Sequence, residues 1–121
     1  MNVLIGNSFP YSLIRKPVTV EPRPVEDLRN LLDRAEVYSY WGHDNTLAQV
    51  NAWLGYDLAP QNARPVIRLS SSGNPEYSGQ EFSECWVLSA DYRDETRPEL
   101  GQEAVPGEIT GWQALKLQWA E

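Results

Sequence analysis

The segment YWGHDNTLAQVNAWLG, residues 40 to 55, carries the single histidine of the chain, His43, set between Gly42 and Asp44 and followed by Asn45 and Thr46. Histidine is the side chain whose ordinary pKa lets it give or take a proton near neutral pH. Upstream, EVYSYW (36–41) is rich in β-formers; downstream, Leu47, Val50 and Leu54 share one helical face until Gly55 stops the run. This spacing predicts a strand ending at Trp41, a flexible Gly42, and a helix whose first turn offers free backbone N–H groups beside an imidazole. Such a junction suits a phosphate or a developing oxyanion, which would meet backbone donors and the positive end of the helix dipole. It equally suits a structural role in which Asp44 or Thr46 caps the helix and His43 merely lies in the connection. Composition does not choose between the two.

The rest of the chain limits the alternatives. With 121 residues, 41% apolar, 22% charged and five tryptophans, it suits one globular domain, residues 1–121, with a modest core. No stretch approaches the roughly 20 consecutive apolar residues of a membrane span, and the amino terminus lacks the pattern of a secretory signal. A soluble, cytoplasmic protein without membrane partners is the expectation. Cys85 has no second cysteine to pair with and, with one histidine, no zinc-ligand set forms; a buried thiol is expected. The net charge of −7 argues against general binding to duplex nucleic acid, which needs a broad cationic footprint. A small anionic ligand is still allowed, because local arginines and a helix terminus can outweigh the net field nearby.

Stepping along the elements, NVLI (2–5) reads as a buried first strand that breaks at Gly6, and GNSFPYSLIR as a loop or short helical turn. KPVTVEPRP alternates like a strand but contains three prolines, which places it at a sheet edge. In PVEDLRNLLDRA, Val25, Leu28, Leu31, Leu32 and Ala35 fall on one helical face. PVIRL (65–69) and SECWVLSADY (83–92) read as strands, separated by SSSGNPEYSGQE as a surface loop, and ALKLQW (114–119) as a terminal strand. The predicted fold is α/β or α+β: one mixed sheet of about five or six strands flanked by helices.

Other residues invite functional readings. The tryptophans suggest base stacking, but core or interface packing is the expectation for each except Trp41, which adjoins Gly42. Arg68 reads as a solvated strand residue. Glu95, Glu99 and Glu103 form no metal-ligand pattern and read as a solvated loop. The polar stretch from Tyr92 to Gly107, with two prolines and two glycines, reads as a cover that could bring Arg93 or Arg97 onto a bound polyanion, or as an ordinary surface excursion.

Taken in order, Asn7-Ser8-Phe9, the GHDNTLAQVNAWLG segment, QNARPVIRL (61–69) and a closing strand behind GEITG resemble the viral ring nucleases, type III anti-CRISPR proteins that degrade cyclic tetra-adenylate, and their bacterial relatives. The densest part of the likeness is Gly42, His43, Asp44 and Thr46, followed by Val50, Asn51, Leu54 and Gly55.

The resemblance implies a homodimer with a mixed sheet flanked by helices, binding a cyclic oligoadenylate between subunits without a metal or other cofactor. It implies that a ribose 2′-hydroxyl attacks its adjacent phosphodiester while His43 protonates the leaving 5′-oxygen. Asn7 and Phe9 carry over from the family's first loop, but the later polar positions of that loop are Pro10 and Ser12 here. Arg64 matches an arginine of the family, and Gly42, Asp44 and Thr46 complete the implied ligand-binding set. The family's Arg-x-x-Glu pair, which positions the scissile phosphate, has its best substitute in Arg93 with Asp94 or Glu95. Three functional classes follow: a metal-independent ring nuclease, a non-cleaving cyclic-nucleotide sponge, and an acidic protein that works through protein contacts.

Overall fold

The computed structural model describes residues 2–41, 44–58, 67–92 and 109–120. In chain order these give β1 (Asn2–Gly6), a 3-10 turn (Tyr11–Leu13), β2 (Val18–Arg23), α1 (Val25–Leu32), β3 (Glu36–Ser39), α2 (Asp44–Leu54), β4 (Arg68–Leu69), β5 (Pro75–Tyr77), β6 (Gln80–Glu81), β7 (Glu84–Tyr92) and β8 (Ile109–Trp119). Five strands form a mixed sheet in the order β2-β8-β7-β1-β3, and β4-β5-β6 form a second, smaller sheet. The fold is therefore the expected α+β domain, with a five-stranded mixed sheet and two helices, to which the three-stranded sheet is an addition.

β1 is the centre of the design. It runs parallel to both neighbours, β3 and β7, and β8 returns antiparallel between β7 and β2. A strand covered on both faces must be apolar at every position, which explains the uninterrupted Val3-Leu4-Ile5 run. Val3 and Ile5 join Leu28, Leu32, Trp41, Val50, Leu54, Trp86 and Leu88 in a core beneath the two helices. Leu4 faces the other way, into a second core of Phe9, Tyr40, Tyr77, Phe82, Cys85, Leu117 and Trp119. The sheet is thus sandwiched between helices on one face and the small sheet with the 3-10 turn on the other.

The proline-bearing β2 is indeed an edge strand, paired only with β8. Pro22 within it, and Pro17 and Pro24 at its two ends, limit further pairing along the outer side. α1 starts after Pro24, carries Glu26 and Asp27 in its first turn, where carboxylates complement the dipole, and buries Leu28 and Leu32.

Three expectations need correction. Residues 70–81 are not simply a loop: they contain β5, β6 and their turn. Ser78 and Gly79 both have positive φ, 52° and 78°, which is the backbone a two-residue hairpin turn requires, and Tyr77 pairs with Gln80 on either side of it. β1 does not break at Gly6 but runs through it, in register with Val87. A Cβ at Gly6 would lie 2.0 Å from the Tyr40 ring, so the glycine is there for the ring, not for a turn. Finally, β8 begins at Ile109, five residues before the expected start, and pairs with β7 past a bulge at Asp91/Tyr92.

Candidate functional site

β7, β1 and β3 lie side by side and parallel, so their carboxyl ends, Tyr92, Gly6 and Ser39, open toward the same side of the sheet. The two chains leaving β1 and β3 then part. After β1 the chain turns onto the small-sheet face: Phe9 packs edge-on against Trp119 at 5.0 Å, and Leu13 and Ile14 pack on the same core. After β3 it turns onto the helix face, where Trp41, Val50 and Leu54 are buried. Where successive connections leave for opposite faces, a crevice opens beyond the strand ends, and this is where open α/β sheets bind ligands.

The parting point is the Tyr40-Trp41 pair. Tyr40 belongs to one core and Trp41 to the other. The Tyr40 backbone N–H donates to the Ile5 carbonyl at 3.0 Å, which extends the contact between β3 and β1. Its hydroxyl donates to the Ser8 carbonyl at 2.6 Å and lies 3.3 Å from Cys85 Sγ. Burial pushes the Tyr40 hydroxyl far above its ordinary value, so it remains a neutral donor. Tyr40 thereby fixes the loop after β1 to the end of β3. The sequence reading did not single it out; a polar-tipped aromatic one residue beyond a strand was the available signal.

On the other side, Trp41 Nε1 donates to Thr46 Oγ1 at 3.3 Å, tying the first turn of α2 to the strand end. Thr46 is buried, so its hydroxyl serves this junction. Trp41 is only 1% exposed and inclined against Trp112 at 5.8 Å, which corrects its exemption from core packing: it cannot offer a face to a base. The remaining tryptophans are buried or partly buried, as expected.

Of the candidate residues in the first loop, Asn7 is half-buried directly after β1, and its side chain has no hydrogen-bond partner among the described residues. Phe9 is buried and anchors the loop, and Ser12 is exposed on the 3-10 turn. Asp44 is the first residue of α2. Gly42, His43, Arg64, Arg93 and Glu95 lie outside the described residues, as do Glu99, Glu103 and the suggested cover from residue 93 to 107. Their places in the chain are still informative: residue 43 directly precedes α2, and residue 93 directly follows β7. Asn7, His43 and Arg93 are thus chain positions that come just after the carboxyl ends of three adjacent parallel strands.

Asn51, part of the motif around His43, has a structural task. Its Oδ1 accepts from the Leu58 N–H at 3.0 Å, and its Nδ2 donates to the Leu58 carbonyl at 3.4 Å, closing the turn after α2. Arg68 is exposed in β4, as expected. Among the described residues no group of three or more histidine, cysteine, aspartate or glutamate side chains could hold a metal ion. A groove of about 420 Å³ near the β2–α1 junction, lined by Arg23, Trp53 and Trp112 among others, contains none of the predicted site residues. No helix among the described residues is long and apolar enough to cross a membrane.

The architecture defines a class: a small mixed α+β domain with three adjacent parallel strands whose carboxyl ends open toward the same side. No protein-family model matches the chain, and the search of curated proteins returned no match. Among solved structures, the chain is similar to B116 of Sulfolobus turreted icosahedral virus, at 16% sequence identity and a TM-score of 0.57, over 98% of this chain and 99% of that one. At that identity the likeness is one of fold: a viral protein of matching size and architecture.

Proposed function

We propose that the protein is a metal-independent ring nuclease that cleaves a cyclic oligoadenylate, cyclic tetra-adenylate in the first instance, and so acts as an off-switch for type III CRISPR signalling in the cytoplasm. The observation that carries this reading is the order of the candidate positions along the chain, each following one of three adjacent parallel strands. Asn7 follows β1, His43 follows β3 and precedes α2, and Arg93 follows β7, three strands that are adjacent and parallel. The fold-level likeness to a viral protein is compatible with it.

In this mechanism a ribose 2′-hydroxyl gives up its proton to solvent water as its oxygen bonds to the adjacent phosphorus, the phosphorus–O5′ bond breaks, and the His43 imidazolium supplies the proton that the leaving 5′-oxygen needs. The product is linear and ends in a 2′,3′-cyclic phosphate. Arg93 offsets phosphate charge, with Glu95 to orient it, while Asn7, Ser12, Gly42, Asp44 and Arg64 hold the ring, and buried Thr46 supports them through Trp41. Alignment, neutralisation of phosphate charge and proton donation are the contributions such a site can make with side chains alone.

The test is to incubate the protein with cyclic oligoadenylates of several ring sizes in EDTA and to separate the products. His43→Ala is expected to lower turnover by about 10²–10⁴-fold, the usual contribution of general acid–base catalysis, and to leave binding intact. Undiminished cleavage by His43→Ala would remove the histidine from the mechanism. A second reading, a sponge that sequesters the cyclic nucleotide, is favoured by one specific feature: Pro10 replaces a polar residue in the first loop and brings neither a side-chain nor a backbone donor. Tight binding without product from the wild-type chain would select it.

A further inference from the structure

Tyr11 is the most exposed large apolar residue among those described, at 82%, and its hydroxyl has no hydrogen-bond partner there. Its surroundings are not those of a mobile tip. Pro10 restricts the backbone before it, the Leu13 N–H donates to the Pro10 carbonyl at 3.1 Å, and the Ile14 N–H donates to the Tyr11 carbonyl at 3.0 Å. Phe9 on one side and Leu13 and Ile14 on the other are packed into the core of the small-sheet face. The turn thus sends its neighbours inward and holds one aromatic ring outward on a rigid base. Four residues on, Arg15 is exposed; its guanidinium donates to the Ile14 carbonyl at 3.2 Å and forms no ion pair among the described residues, in a chain whose net charge is −7. An outward-held ring with an exposed guanidinium four residues along the chain suits a ligand with a flat π-face and a negative charge, which is the chemistry of a nucleotide.

We infer that Tyr11 is the base-stacking residue of the site, an inference that rests on the cyclic oligoadenylate reading above. The ring gives a nucleobase a large contact at small entropic cost, because tyrosine has only two side-chain torsions to fix and its turn is already fixed. Stacking tolerates any base, so Tyr11 sets affinity, and the choice of adenine falls to other groups.

Titration of wild-type protein, Tyr11→Ala and Tyr11→Phe with cyclic tetra-adenylate in EDTA tests this, with light scattering and thermal unfolding on each variant. Tyr11→Ala is expected to weaken binding ~5- to 150-fold per stacked base, to raise KM more than it lowers kcat, and to unfold like the wild type. Tyr11→Phe keeps the ring and is expected to bind within about twofold of wild type. If the wild type binds and Tyr11→Ala binds equally well, the stacking role is wrong and the function stands. A loss of affinity accompanied by a change in molecular mass assigns Tyr11 to a subunit contact and overturns the stacking role. No binding by the wild-type chain, at any ring size, overturns both readings.

Discussion

Cys85 and Tyr40 show how single side chains serve the site without doing its chemistry. Cys85 is fully buried next to the Tyr40 hydroxyl, and burial pushes its thiol up to about 12. A thiol that stays protonated is a poor nucleophile, so the cysteine is packing, as the sequence suggested from its apolar run. Both groups have folded-state pKa values above their ordinary ones, the tyrosine through burial first and then its proximity to Cys85. Between about 9 and 12 the unfolded chain therefore releases protons that the folded chain retains. Their contribution to stability is fully present below about pH 9 and is lost as pH climbs toward 12. Urea midpoints measured at pH 8, 9, 10 and 11 are expected to fall steadily above 9, and Cys85→Ala is expected to fall less steeply. Iodoacetamide at pH 8 is expected to leave Cys85 unmodified in native protein and to modify it fully in urea. Rapid native alkylation would show that the β1–β3 junction opens readily.

At the scale of elements, the sequence was legible where one physical rule dominated and illegible where two competed. The continuous apolar run of β1, the proline-marked edge of β2 and the 3.6-residue spacing of α1 each follow from a single constraint. The β5–β6 hairpin was hidden because serine, glycine and asparagine dominate residues 70–81, although Pro75 and Tyr77 alternate with Glu76 and a Ser-Gly pair marks the turn. How α2 is held was also invisible, since its restraint comes from a distant residue. Arg29 of α1 donates from Nε to the Leu54 carbonyl at 3.0 Å and from its guanidinium to the Trp53 carbonyl, meeting free carbonyls at the negative end of the α2 dipole. Gly55, with φ of +73°, then ends the helix. Arg29→Met keeps most of the side-chain volume and removes these charge-assisted bonds. Because the group is partly exposed, a loss of about 1 kcal/mol is expected by urea denaturation. Since His43, the proposed proton donor, directly precedes α2 in the chain, the same variant is expected to reduce cleavage more than binding; unchanged stability would mean that water replaces the arginine without cost.

For the whole molecule, the sequence placed the candidate residues in order along the chain but could not show that the strands before them are adjacent and parallel, because that depends on β1 lying between β3 and β7. Strand order is set by long-range pairing and leaves no local trace; the Tyr40–Ser8 contact joins residues 32 apart. The same topology limits what one chain can do. Its parallel strands end on one side of a sheet only five strands wide, whereas a cyclic tetranucleotide, the proposed ligand, presents phosphates and bases all around its ring. A two-fold pair of subunits would meet a ligand that has two-fold symmetry with matching halves, each supplying Asn7, Tyr11 and His43 once. The prediction is a homodimer, with light scattering giving twice the 13.8 kDa chain mass and calorimetry giving one cyclic tetra-adenylate per two chains. Both readouts are needed, because a dimer with one ligand per chain would place each site within a single subunit. A single-chain mass maintained while ligand is bound would refute the shared site, and with it the assignment of two His43 side chains to one ring.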